Sequence, residues 1–331
     1  MELLKFLSEA HGVSGDEFSI AEEIANIIKP HCSEMFIDNM GNLFCFKKGT
    51  GEDKKTIMLC AHTDEVGIII SSVTEDGFLK FRTVGGIDEG ILLAKRVLIG
   101  KNKVLGVTGL KPVHLCSEDD LKKKPTTEEM YIDIGVSSKE EALKLISIGD
   151  YGTFDTDFEQ MGSLLKAKAF DDRLGCYMLI RLMKKECYHD VWYVFNVQEE
   201  IGLRGASVTS RRIEADYGVV IECTTCLDMP GIKESEVSTR VGNGPALTIV
   251  DGYGYADSNL REILADCGVK IQYKNMPKGG NDAGALKLND IKTAAVSIPA
   301  RYIHSPLSVV SEKDTNNCIL LLENFLNKED L

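Results

Sequence analysis

The chain has 331 residues, 44% hydrophobic and 27% charged, so it is long enough for two domains, or one large domain with an insert, and needs neither disulfides nor a structural metal to fold. Its 51 acidic residues outweigh 38 basic ones, giving a formal charge of −13 and a pI near 5.0. Such an acidic surface repels phosphate backbones and anionic lipid, which argues against nucleic acid and membrane as partners.

The opening MELLKFLSEAHG reads as a short amphipathic helix carrying acidic residues, not a secretory signal. No run approaches 18 apolar residues, so no membrane span is expected. Ten cysteines are scattered along the chain, several in apolar runs, and a cytoplasmic protein with reduced thiols is the expectation. The lone C-x-x-C, Cys223 and Cys226, lacks a partner pair at zinc-finger spacing and reads as structural.

In chain order, DEFSIAEEIANIIK (16–29) has helical apolar spacing and stops at Pro30. SEMFID and NLFCFK form a hairpin around Asn39-Met40-Gly41-Asn42, and TIMLCAH is a buried strand. Residues 69–160 change character. Short β-like runs (FLKFRTV, RVLIG, VLGVTG, MYIDIGV, GTF) alternate with glycine turns and one Ser138-capped helix, which suggests a small β-barrel or sandwich. From 163 onward strand and helix alternate: SLLKAKAF, then DRLGCYMLIRLMKKE; VWYVFNV; GVVIEC; SNLREILADCG; TAAVSIPA; and a final helix in SEKDTNNCILLLENFLNK. The expected fold is therefore α/β, a mixed but mainly parallel sheet flanked by helices. Its catalytic domain is discontinuous, 1–68 and 161–331, with 69–160 inserted.

On that reading five strands each deliver an acid or a histidine at their carboxyl end, where open α/β sheets bind ligands. His62 and Asp64 follow IMLCA, Asp171 and Asp172 follow KAKAF, Glu199 and Glu200 follow WYVFNVQ, Glu222 ends GVVI, and His304 lies beyond AAVSIPA. Each alone has a plainer explanation. Paired acids complement helix dipoles, which is all Asp172 is expected to do, and a single histidine is commonly a satisfied core residue. Five together favour a metal site. Two imidazoles among carboxylates suit zinc, cobalt or manganese, where calcium would recruit oxygens only. With one carboxylate bridging, His62, Asp171, Glu200, Glu222 and His304 could hold two ions about 3.5–4 Å apart and lower the pKa of a water toward roughly 7. Glu199, beside a ligand and free of the metals, would be the general base and acid. The remaining histidines, His11, His31, His114 and His189, read as structural.

AHTDEVG (61–67), AFDDRLG (169–175), VQEEIGLRGA (197–206), GGNDAGAL (279–286) and ARYIHSP (300–306) together resemble the tetrahedral and glutamyl aminopeptidase family of two-metal exopeptidases. The resemblance extends through the insert with its GLKPVHL (109–115). It implies that His62, Asp171 and Glu222 bind one ion, that Asp171, Glu200 and His304 bind the other, and that Asp64 fixes the tautomer of His62. It further implies a cis peptide between Asp171 and Asp172, a PDZ-like dimerisation insert, and homo-oligomers from dimer to dodecamer acting on peptides. The chain departs from the pattern at Glu222, where aspartate is usual, and at Asn281, where threonine is common. Glu222 keeps the carboxylate one methylene further out, and neither change removes a catalytic atom. Some relatives carry an endoglucanase label, but glycosidases work with two carboxylates and need no histidines or metal. A related deacylase or carboxypeptidase-like hydrolase, and a non-catalytic metal-stabilised peptide-binding scaffold, are the alternatives; the scaffold would have no use for a free Glu199.

Overall fold

The computed structural model describes residues 1–275 and 278–331. The chain begins with α1 (Glu2–Glu9), α2 (Phe18–Ile28), β1 (Glu34–Ile37), β2 (Leu43–Lys47) and β3 (Thr56–His62). Next come β4 (Gly67–Val73), β5 (Leu79–Val84), β6 (Arg96–Ile99), β7 (Val104–Gly109), α3 (Glu118–Leu121), β8 (Tyr131–Asp133), α4 (Lys139–Leu145) and β9 (Tyr151–Phe154). The remainder supplies β10 (Glu159–Met161), β11 (Leu164–Ala167), α5 (Phe170–Met183), β12 (Asp190–Asn196), α6 (Arg204–Thr209), β13 (Tyr217–Thr225), β14 (Ala246–Asp251) and β15 (Gly254–Tyr255). It closes with α7 (Ser258–Ala265), β16 (Gln272–Asn275), α8 (Ala283–Lys287), β17 (Lys292–Arg301), β18 (Ser308–Ser311) and α9 (Glu312–Leu326).

Strands β4 to β9 close into a six-stranded barrel, ordered β4-β5-β8-β7-β6-β9, around Ile68, Phe81, Val97, Ile132 and Phe154. The other described strands form one 12-stranded sheet whose main path is β1-β2-β12-β3-β13-β17-β18-β11-β10. Only its centre, β12-β3-β13-β17, is parallel along this path; β1, β2, β18, β11 and β10 run antiparallel. The mainly parallel expectation is thus corrected to a mixed sheet, because short hairpin-like returns extend both edges.

Period-two alternation in the central strands explains how both faces are buried. Ile57, Leu59, Ala61, Val219 and Ile221 pack beneath α1, α2, α5 and α9. Met58, Cys60 and Val220 meet Ala206 of α6 and Leu286 of α8 on the opposite face. The expected turn after β1 is built by Asp38, whose carboxylate accepts hydrogen bonds from the amides of Met40, Gly41 and Asn42. Ser138 caps α4 by accepting from the Glu141 amide. Cys32 and Cys45 form a disulfide with Cα atoms 5.8 Å apart, so the all-reduced expectation fails for this pair. The bend after α2 brings Cys32 alongside β2 at bridging distance.

Arg173 is the largest fully buried side chain. From α5 it donates to the carbonyls of Thr63 (2.7 Å), Leu7 (2.6 Å), Ala10 (3.3 Å) and Gly12 (3.5 Å). It thereby ties the N-terminal segment to the end of β3. Removing the buried cation leaves the Thr63 and Leu7 carbonyls without their charged donor, while Glu65 keeps Lys168 and Thr153 as partners. Arg173→Met should therefore lower the free energy of unfolding in urea by about 3–5 kcal/mol. A loss under about 1 kcal/mol would show that the arginine is not a structural tie.

Candidate metal centre

The site lies where the sheet splits. β3 pairs with β13 only as far as Cys60 opposite Val220, whereas β13 continues beside β17 to Thr225 opposite Ala300. β3 meanwhile stays with β12 to His62 opposite Asn196. The two strands part at their carboxyl ends, and the first turn of α5 enters the gap. Asp172 Oδ2 accepts from the His62 amide at 3.3 Å, Asp172 Oδ1 accepts from the Gly175 amide at 2.9 Å, and the Cys176 thiol donates to the His62 carbonyl at 3.2 Å. A Cβ at position 175 would sit 2.3 Å from the Asp172 carboxylate, so only glycine allows this approach. The peptide between Asp171 and Asp172 is cis.

Around that entry the structure gathers His62, Asp171, Glu200 and His304. Asp171 Oδ1 lies 3.3 Å from His62 Nε2, and Asp171 Oδ2 lies 3.5 Å from His304 Nε2. Glu200 Oε2 is 3.3 Å from the same His304 nitrogen. Donor atoms of Asp171, Glu200 and His304 all lie within 4.8 Å of one another, and so do those of His62, Glu199 and Glu200. Both imidazoles are held in one tautomer. His62 Nδ1 faces the Asp64 carbonyl at 3.1 Å, and His304 Nδ1 faces the Gly86 carbonyl at 3.1 Å, so each Nδ1 donates and each Nε2 faces carboxylate oxygen. A proton on Nε2, or a metal cation that displaces it, satisfies each of these nitrogen–oxygen pairs. Tetrahedral metal–ligand bonds of about 2.0–2.2 Å place neighbouring donors roughly 3.4 Å apart, which fits this spacing.

Asp64 is the hub behind the donors. Its Oδ1 accepts from the Glu199 amide at 3.0 Å and lies 3.4 Å from His62 Nδ1; its Oδ2 accepts from the Glu200 amide at 3.1 Å and from the Ser14 hydroxyl at 2.6 Å. Glu222 departs from expectation. It lies inside β13, opposite Ser297 of β17, because the β17 pairing carries the strand on to Thr225. Its Oε1 accepts from Asn281 Nδ2 at 3.0 Å and Ser297 Oγ at 3.0 Å, with Lys274 Nζ 3.8 Å away. Both Glu222 and His62 lie two residues beyond the last pair of their strands, Cys60 and Val220, where β3 and β13 have parted, and Glu222 joins neither group of closely spaced donors. Asn281, at the position where threonine is common, thus supports this carboxylate and also reaches Asp251 at 3.2 Å.

The electrostatics follow from burial. Desolvation raises Glu200 and Glu222 to about 7, with Asp171 adding to the rise in both. Glu199 goes well above the carboxylate range, chiefly through burial and secondly through Asp282, Glu200 and Asp171. Burial would lower both histidines, but Asp171 outweighs it, lifting His304 to about 9 and, together with Asp64, lifting His62 well above its usual value. Asp171 is held well below the usual range by the two histidines despite its burial. Protons here stand where a divalent cation would.

Several participants read as structural in the sequence or are not singled out there. Asp172 does more than complement a helix dipole, because it joins α5 to β3. Cys223 offers a sulfur within 4.8 Å of donor atoms on Asp171 and Asp172. Asp282 accepts from Asn196 at 2.7 Å through Oδ2, while its buried Oδ1 has no partner among the described residues. Ser14 and Glu17 reach the site from the N-terminal segment. A cleft of about 510 Å³, bordered by Asp88, Ile91, Lys95, Tyr302 and Leu307, opens onto His304 from the barrel side.

The model of the M42 glutamyl aminopeptidases matches residues 41–321. The chain belongs to this M42 family. It is accordingly a peptide hydrolase, and M42 enzymes are metallopeptidases. A putative aminopeptidase of Acetivibrio thermocellus is 36% identical, with 97% of this chain and 96% of the relative covered. The solved aminopeptidase of the archaeon Desulfurococcus kamchatkensis is also 36% identical and superposes with a TM-score of 0.93, covering 98% of this chain and 94% of its own. Pyrococcus horikoshii TET1 peptidase, described as able to assemble into a tetrahedron or a large octahedral shell, is 32% identical with a TM-score of 0.88 and 99% of each chain covered.

Burial raises Glu200 and Glu222 to about 7 and the carboxylates raise both histidines, so a cation bound by these groups would displace protons. Zinc affinity should therefore fall as pH drops from about 8 to 6, with about one proton or more released per ion bound at pH 7. Calorimetry in two buffers of different ionisation enthalpy measures this. Affinity independent of pH, with no proton release, would contradict the assignment of these groups as donors.

Proposed function

We propose that this M42 enzyme is an aminopeptidase that releases N-terminal residues from peptides at two divalent cations. His62, Asp171 and Glu222 would hold one ion, Asp171, Glu200 and His304 the other. The observation that carries this reading is that the two oxygens of Asp171 face two different imidazoles, at 3.3 and 3.5 Å, as a shared carboxylate would. Zinc, cobalt and manganese all suit the donor set. When bound, the cations polarise the scissile carbonyl and make water acidic enough to react near neutral pH.

The chain's own groups then have distinct tasks. Glu199 takes the proton of the attacking water and passes it to the leaving amine. Its burial among acids fits a group that must hold a proton near neutral pH and give it up again. Asp64 holds His62 in the tautomer that presents Nε2. The crowd of carboxylates favours a positively charged substrate end, which suits a free α-ammonium group over a blocked one.

We further propose that 69–160 is an insert in the catalytic domain, of PDZ-like descent, and that subunits associate through it as dimers or larger shells. Exposed apolar side chains on this unit, including Leu105, Val107, Val113 and Leu115, support such a contact surface.

Amino-acid p-nitroanilides and short peptides should be cleaved from the amino end in the presence of zinc, cobalt or manganese, and acetylating the amino group should abolish cleavage. Cleavage of blocked substrates would instead favour a deacylase or carboxypeptidase-like enzyme. Glu199→Gln should keep its metal and lose at least ~100-fold in kcat. Near-normal turnover in that variant would remove Glu199 from the mechanism. If chelation dissociates an oligomer of a protein that hydrolyses nothing, the scaffold alternative stands in its place.

A further inference from the structure

The short loop carrying Glu199 and Glu200 is held at three successive backbone amides, and the N-terminal segment controls the grip. The Gln198 amide donates to Glu17 Oε1 at 2.9 Å. The next two amides donate to Asp64, whose Oδ2 is itself pinned by the Ser14 hydroxyl at 2.6 Å. Gln198 has φ +56°, in the left-handed region that a residue with a side chain leaves unless its neighbours hold it there. Ser14 and Glu17 are buried, at 2% and 5% exposure. Both side chains reach beyond their own segment. Glu17 stands at the N-cap of α2 yet makes no capping bond there, and the Ser14 hydroxyl crosses to Asp64, 50 residues away in sequence.

The segment itself is anchored. The Ser14 amide donates to the Glu65 carbonyl at 3.2 Å, and the Glu65 amide donates to the Gly12 carbonyl at 2.9 Å. Lys168 Nζ, buried against Glu65, donates to the Ala10 carbonyl at 2.9 Å, beside the contacts of Arg173 described above. Ser14 and Glu17 lie before the stretch 41–321 that matches the family model.

We propose that Ser14 and Glu17 are positioning residues of the active site, acting through Asp64 and Gln198 to set the placement of Glu199 and Glu200. The proposal rests on the roles given to those two glutamates above. It predicts damage to turnover without damage to substrate binding, since neither residue touches substrate.

The test combines hydrogen–deuterium exchange of the full chain without added metal, read over 196–203, with zinc-supported kinetics on a p-nitroanilide. Ser14→Ala and Glu17→Ala should speed exchange at 198–200 and lower kcat roughly tenfold, the order expected for one lost charge-assisted hydrogen bond, with KM within about twofold. Glu17→Gln keeps an acceptor oxygen and should restore both readouts. If Ser14→Ala fails to fold, the two Glu17 variants decide alone. Folded alanine variants with unchanged exchange at 198–200, or with faster exchange and unchanged kcat, overturn the proposal. A wild type that cleaves no peptide overturns the function proposed above, and the exchange data then show by themselves whether Ser14 and Glu17 hold the loop.

Discussion

The carboxylate of Asp171 lies between two imidazoles, and most of the surrounding architecture serves to keep it there. A carboxylate removed from water must be matched by positive charge or by donors. Here the match has two sides, His62 on β3 and His304 beyond β17, so one side chain couples strands on opposite sides of the split in the sheet. Asp172, next in the chain, turns the other way and bonds the His62 amide, fixing α5 in the gap. Neighbouring residues thus do opposite work, one toward the donors and one toward the backbone.

The buried acids carry a cost that the fold meets locally. Glu200 and Glu222 are pushed up to about 7 by burial, so without a cation they tend to take up protons. Asp64 escapes this. It accepts from two amides and one hydroxyl and lies beside His62, and it is held below its usual value despite complete burial. The contrast separates a carboxylate built into the scaffold from carboxylates poised to exchange protons for metal.

Much of this was legible in the residues. Helical spacing located α2, α5 and α9, and polar residues following apolar strands located His62, Asp64, Asp171, Glu199, Glu200 and His304. Glu222 was placed at a strand end, because local pattern cannot show that pairing with β17 extends the strand to Thr225. The antiparallel β1–β2 edge was read from its turn, but the antiparallel strands beyond β17 were missed for a related reason. β18 is four residues long and β14 departs from simple alternation, so neither stands out until a partner strand defines it. Ser14 and Glu17 were invisible because their meaning lies in contacts made 50 and 181 residues away. The Cys32–Cys45 bridge likewise depends on the bend after α2, which composition does not reveal.

The most direct test is anomalous diffraction from crystals equilibrated with zinc. The account predicts two peaks flanking the Asp171 carboxylate, one toward His62 and Glu222 and one toward Glu200 and His304. A single ion, or ions bound without Asp171 between them, would contradict it.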